Sequence, residues 1–286
     1  MAKIKMLCAT VILGTIGLFV KYVPLASHLT VLFRVGFAAF AIGLYFLLSG
    51  KKLQLQATKK DVFLLLTSGA CLALNFVFLF EAYKHIPYSI ATVCDYFAPV
   101  IVMVLSPLVF REKLTAKQIL CFGMCTLGLL LLLGVGNESV TLSLLGVTVG
   151  LIGMLFYVPV LMLNKAIKNV GNLERTFLQL LVALIVLLAL LPFGEKPDFS
   201  QMTWTSWAHL LVIGTVHTGV AYCLMFSALP KLSGQEGALL TYIDPFVAVM
   251  VSVFVMQEPI AYMQIIGGIL LLGFMLLNEL TGKKNL

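Results

Sequence analysis

Charge is what this chain has least of. Only 11% of its 286 residues are Asp, Glu, Lys or Arg, where a soluble domain carries about 25%. Residues 62–80, 118–137, 139–164, 176–194, 199–230 and 259–278 contain none at all. With 61% hydrophobic residues, no soluble core of this size could hide the apolar surplus. Polar/apolar alternation is also missing from segments such as Leu127 to Leu133, which argues against a membrane barrel. Enzyme signatures are absent. There is no phosphate-binding glycine loop, nucleophile elbow, zinc spacing or dinucleotide fingerprint, so neither catalysis nor a cofactor is expected. The six cysteines (Cys8, Cys71, Cys94, Cys121, Cys125, Cys223) fall inside apolar stretches and read as small apolar residues, not as disulfides or metal ligands. Asp95-Tyr96 and Asp244-Pro245 lack the context of an intramembrane protease dyad.

What is present is a set of apolar stretches of membrane-crossing length. A spanning helix needs about 20 apolar residues, and spanning backbone must satisfy its own hydrogen bonds. Allowing rare internal charges, ten spans are expected, near 4–22, 29–49, 62–83, 88–110, 117–135, 143–164, 175–193, 205–228, 235–256 and 260–279. The first resembles a secretory signal in carrying Lys3 and Lys5 ahead of an apolar run, but no small-residue cleavage site follows it and nine more spans do.

The net charge of +7 does not point to nucleic acid, because the cations sit in loops and on one side. With the N terminus in the cytoplasm, Lys3, Lys5, Lys51, Lys52, Lys59, Lys60, Arg111, Lys113, Lys117, Lys165, Lys168, Arg175, Lys231, Lys283 and Lys284 face inside. Only Lys21, Lys84 and Lys196 face outside, and Arg34 lies within a span. That bias predicts two cytoplasmic termini in the plasma membrane.

The stretch from Phe80 to Gln118 recurs 146 residues later as Phe226 to Gln264. Phe80, Ala82, Tyr96, Pro99, Ser106 and Glu112 match Phe226, Ala228, Tyr242, Pro245, Ser252 and Glu258. The expected architecture is an all-α membrane protein of ten helices in two repeats, 1–137 and 138–286. Each unit holds five helices, an odd number, so the second inserts upside down. The loop with Arg111-Glu112-Lys113 is then inside. Its partner, Gln257-Glu258-Pro259, is outside and carries neither cation.

Two segments, Ala91 to Glu112 (ATVCDYFAPVIVMVLSPLVFRE) and Gly237 to Glu258 (GALLTYIDPFVAVMVSVFVMQE), place a proline in the fourth helix of each unit and a glutamate just after it. In this the chain resembles the drug/metabolite transporter superfamily, and most nearly its EamA branch. The resemblance covers the whole chain. It implies a central cavity lined mainly by helices 1, 3, 4, 6, 8 and 9, with helices 5 and 10 peripheral. It does not single out a substrate, since such proteins carry amino acids, amines, nucleotide-linked sugars, vitamins and drugs.

Polar residues inside the spans are the candidate site, because a charge near mid-membrane costs about 2.5–3.5 kcal/mol and so faces protein or water. Arg34, Glu81 and Asp95 lie at similar depth, so Arg34 is expected to pair with a carboxylate. It is either an anion-recognising or gating residue, or a structural ion pair, or a side chain snorkelling outward, and Glu81 is close enough to the interface for simple hydration. Asp95 and Pro99 share a helical face, and Asp244 precedes Pro245 at mid-helix. A proline frees a backbone carbonyl one turn back, and broken helices often form transport sites. Asp244 is expected to exchange a proton or to pair with a substrate amine; the bland reading is a kink sealed by a neighbouring helix. Tyr96, Tyr242, Tyr157 and Tyr222 suit organic cations or aromatic solutes or simple packing. His217 suits titration or packing, and Asn75 interhelical hydrogen bonding. Pro159 is a third expected kink.

The expected function is secondary transport of small organic metabolites by alternating access, with export of amino acids or related metabolites. The alternatives are proton-coupled import of a vitamin or nucleotide-like solute, and a non-transporting membrane scaffold or receptor. The expected partners are a small-molecule substrate, the lipid bilayer and protons as a candidate coupling ion. No nucleic acid or metal is expected, and oligomeric state is not legible.

Overall fold

The computed structural model describes residues 1–50, 57–86, 88–134, 143–194, 196–257 and 260–282. Among the described residues the secondary structure is helical throughout. The helices run α1 Ala2–Gly14, α2 Gly17–Val20, α3 Ser27–Ser49, α4 Lys59–Tyr83, α5 Tyr88–Tyr96, α6 Ala98–Phe110 and α7 Ala116–Leu132. They continue as α8 Leu144–Ala166, α9 Asn172–Leu190, α10 Trp204–Val212, a π-helical segment Ile213–Val220, α11 Ala221–Ala228, α12 Gly234–Thr241, α13 Ile243–Phe254 and α14 Tyr262–Gly282. Eight stretches are long and apolar enough to cross a bilayer: Ala2–Val20, Ser27–Ser49, Lys59–Tyr83, Val93–Phe110, Leu144–Ala166, Asn172–Phe193, Trp204–Lys231 and Gly234–Phe254. At the fifth and tenth expected positions the apolar helices Ala116–Leu132 and Tyr262–Asn278 are shorter. The 137/138 boundary and Lys51, Lys52, Glu258, Pro259, Lys283 and Lys284 lie outside the described residues.

Local sequence explains where helices begin. Thr58 with Asp61, Thr115 with Gln118 and Ser233 with Glu236 form reciprocal capping boxes at the starts of α4, α7 and α12. Proline explains where two spans break. Pro99 and Pro245 sit in the first turns of α6 and α13, after one-residue interruptions at Phe97 and Tyr242. Both interrupting residues keep right-handed helical backbone, so each span kinks without unwinding. Lacking an N–H, the two prolines leave the carbonyls of Asp95 and Thr241 without their usual helical partner. Pro159, by contrast, is carried inside a continuous α8.

The bundle is closed by a few heavy contacts. α4 packs on α8 and α9, α1 on α11 and α13, α3 on the π segment and α9, and α7 on α14. The α7–α14 contact brings backbone against backbone. A Cβ on Gly128 would lie 2.7 Å from the Gly267 carbonyl oxygen, and the Cys125 thiol donates to the Leu271 carbonyl at 3.4 Å. Outward-facing side chains such as Phe40, Leu47 and Leu108 are 67%, 80% and 77% exposed, an apolar surface of the kind a bilayer covers. Among the described residues, the non-glycine positions with positive φ are Arg111 (56°) and Gln257 (59°), which stand 146 apart.

Candidate functional site

Six of the bundle's spans bring polar side chains to one interior place. Asn75 on α4 donates through Nδ2 to Asp95 Oδ1 on α5 at 2.7 Å and to the Gly153 carbonyl on α8 at 3.1 Å. The Tyr96 hydroxyl hydrogen-bonds with the Asp244 carboxyl on α13. Tyr157, one helical turn beyond Gly153, lies within Coulombic range of Asp95, Asp244, Arg34 and Tyr222. Asp95, Tyr96, Tyr157 and Asp244 are only half-buried. Asp244 lies within Coulombic range of Asp95 and hydrogen-bonding reach of Tyr96 across helices, so the four form one interhelical cluster.

Arg34 on α3 borders the same cluster. Its Nε donates to Thr218 Oγ1 at 3.1 Å, its guanidinium lies 4.8 Å from the centroid of Phe76, and Tyr222 lies within Coulombic range. Among the described residues it closes no ion pair with Asp95, Asp244 or Glu81, which corrects the expected pairing. The reason is geometric. α3 packs on α9 and the π segment, so the fork reaches a hydroxyl and a ring first, and Asp95 is already held by Asn75. Arg34 still lies within Coulombic range of Asp244.

The π segment makes the Thr218 contact possible. Widening the helix lets the Thr218 hydroxyl donate to the Ile213 carbonyl five residues back at 3.0 Å while accepting from Arg34. Such bulges recur at functional sites. Sequence reading missed both Thr218 and Phe76; the Gly214, Thr215, Thr218, Gly219 cluster was the available signal for the first. His217 faces the other way. It is 2% exposed, hydrogen-bonds with Thr15 at 3.0 Å and packs 4.9 Å from the Phe19 ring, at the α1–α2 break.

Two other expected members stand apart. Tyr242 is fully buried, its hydroxyl hydrogen-bonded with Thr126 at 3.2 Å on α7. Glu81 sits at the end of α4, paired with Lys84 at 3.2 Å and with His85 at 3.4 Å. It lines a cavity of about 400 Å³ between the ends of α3, α4 and α9.

The opposite end of the bundle is tied shut. Glu112, just past α6, pairs with Lys165 at the end of α8 and accepts from the Gly234 N–H at the start of α12 at 2.9 Å. Lys165 also donates to the Leu232 carbonyl at 2.7 Å. Nearby, Arg175 is 2% exposed and donates to the carbonyls of Asn164, Ile167, Val170 and Phe226, binding the ends of α8 and α11 to α9. Sequence reading had placed Arg175 at a loop edge, with no sign of this buried clasp.

An apolar-coated helical bundle with an interior cluster of acids, one arginine and tyrosines defines a multi-pass integral membrane protein. The chain belongs to the EamA-like transporter family, whose model matches residues 1–134 and again 144–279. It is therefore a membrane transporter of the drug/metabolite superfamily. It is 32% identical to "Uncharacterized transporter YxxF" of Bacillus subtilis (strain 168), over 99% of this chain and 92% of that one. It is 24% identical to "Uncharacterized transporter YetK" of the same organism, over 79% and 71%. A crystal structure of a protein 16% identical in sequence superposes with a TM-score of 0.81, covering 96% of this chain and 95% of that one, which extends the likeness to the fold.

Proposed function

We propose that the chain is a secondary transporter in which two inverted halves, 1–137 and 138–286, alternate access to the cluster around Asp244. The observation that carries this reading is the Tyr96–Asp244 hydrogen bond. It joins the kink of one half to the kink of the other, so rocking the halves must remake the site. Support for the repeat comes from features at the 146-residue offset: the paired left-handed residues Arg111 and Gln257, the Cys125–Leu271 contact and the double match of the family model. Support for the orientation comes from Arg111, Lys165, Arg175 and Lys231, which gather at the tied end of the bundle. That end is the cytoplasmic one in this reading, and the membrane is the plasma membrane.

Asp244 and Arg34 bring a carboxyl group and a guanidinium cation into one interhelical cluster without pairing to each other. That arrangement suits a small metabolite carrying both an amine and an acid group, such as an amino acid or a relative of one. Export is the direction adopted, on the family resemblance. Asp244 supplies the coupling step, by exchanging a proton or by pairing with the amine. Purified protein in liposomes loaded with a radiolabelled amino-acid mixture tests this. Loss of internal label driven by an imposed pH gradient, absent from empty liposomes, is expected; no gradient-dependent flux for any component retires the reading.

A further inference from the structure

We propose that the cavity between α3, α4 and α9 is a separate binding site for an organic carboxylate with an aromatic-sized apolar body. Its volume of about 400 Å³ lies in the range of small-molecule sites, which are mainly apolar with a few placed polar groups. Val31, Leu32, Phe80 and Leu187 wall it, and Ser27, His28, Glu81 and Lys84 stand at its mouth. From Lys84 down α4 to Phe76 is about two turns, or about 12 Å, enough for two fused rings. Three mutually packed helices border it.

The charge at the mouth selects the head group. Glu81 is already paired with Lys84, so its charge is matched there, and the buried Nε2 of His28 has no hydrogen-bond partner among the described residues. Ala26, Ser27 and His28 line the cavity at the start of α3, a helix of 23 residues whose N terminus no side chain caps. Its free N–H groups therefore add a partial positive charge. At the inner end, Phe76 is also the ring over which Arg34 lies, so one side chain separates this cavity from the central cluster. Its place as an outer station on the solute path rests on the proposed function; its ability to bind does not.

Full-length protein in phosphatidylcholine nanodiscs is irradiated with 4-benzoylbenzoate, an aromatic carboxylate that inserts into nearby C–H bonds, and the adducts are mapped by peptide mass spectrometry. Saturable labelling of residues 28–32, 76–80 and 187–191 is expected, competed by 1-naphthoate. Val77→Trp, which fills the cavity, lowers labelling about five-fold or more, and Leu32→Trp replaces it should that protein fold poorly. The paired His28→Gln, Lys84→Gln variant keeps the volume and loses labelling by the carboxylate, but not by neutral benzophenone. Labelling spread over lipid-facing residues such as Phe40, labelling unchanged by either tryptophan, or competition by phosphatidylglycerol but not by naphthoate overturns the proposal, the last by giving the cavity to lipid. Saturable cavity labelling in a protein that moves no solute upholds this site while retiring the transport reading.

Discussion

Asn75 holds Asp95 with one amide nitrogen that also serves Gly153 on a third helix. The carboxylate is thereby fixed in place without a cation. Asn75→Leu removes both bonds and leaves the Asp95 carboxyl without its amide donor, at a cost of about 1–3 kcal/mol. Thermal unfolding in detergent is expected to show a clearly lowered midpoint. Asp95→Asn keeps an oxygen facing the Asn75 amide and is expected to unfold close to wild type. Equal midpoints for Asn75→Leu and wild type sink the positioning role.

Arg34 is held by Phe76 and Thr218, one through its ring face and one through a hydroxyl at 3.1 Å. Lysine lacks the planar fork that stacks and donates at once. Arg34→Lys is therefore expected to fold with normal yield and to bind solute at least about ten-fold more weakly, a difference of about 1.4 kcal/mol. Phe76→Leu, which keeps the hydrogen bond and removes the ring, is expected to weaken binding less. Isothermal titration with a transported solute measures both, and wild-type affinity in Arg34→Lys removes Arg34 from the site.

Much of this candidate cluster was legible because the surroundings are so apolar. In a run of leucines, Arg34, Asn75, Asp95 and Asp244 stand out, and each does face the interior. The tyrosines divided: Tyr96, Tyr157 and Tyr222 join the cluster, whereas Tyr242 turns to Thr126. Period and composition cannot separate these cases, since helix rotation at a kink decides which face a ring takes. Phe76 was hidden among twenty phenylalanines, and Arg175 by its position at a span edge. The π segment was illegible for another reason: its extra residue per turn depends on packing against α3, which propensity does not encode.

Gly14 marks where α1 meets the kink of α13. A Cβ there would fall 2.6 Å from the Asp244 carbonyl oxygen and 2.6 Å from Val247 Cβ, so even alanine must push backbone. Gly14→Val is expected to displace α13 and abolish flux, costing about 1–3 kcal/mol or more in stability from overpacking. Gly123 meets nothing within 4 Å. Gly123→Ala should leave flux unchanged and raise helix stability by about 0.5–1 kcal/mol. Proteoliposome flux and unfolding midpoints read both, and a fully active Gly14→Val contradicts the close approach.

Orientation has its own check. Lys168 and Ser200 are both exposed and lie at opposite ends of α9. Cysteine introduced at Ser200 should react with a membrane-impermeant maleimide on intact cells, and cysteine at Lys168 only after permeabilisation. The reverse pattern would place the termini outside. Equal reaction at both from outside would break the topology altogether.

Asp244 decides between chemistries. It sits in the first turn of α13, next to the proline that kinks the span, with the Tyr96 hydroxyl on its carboxyl and Arg34 within Coulombic range. Asp244→Asn keeps the shape and can still accept from Tyr96, but it neither titrates nor carries charge. A proton-coupling role predicts that the Asn form binds solute normally, loses the pH dependence of flux and no longer concentrates solute against a gradient. An amine-pairing role predicts that binding itself falls, by about 1.5–3 kcal/mol for a charge-assisted hydrogen bond, or roughly ten- to hundred-fold in affinity. Binding by titration calorimetry and flux over a range of pH, on the same preparation, separate the two. Wild-type affinity together with a wild-type pH profile would leave Asp244 as a packing residue at a kink, and would require the transport site to be sought around Asp95 instead.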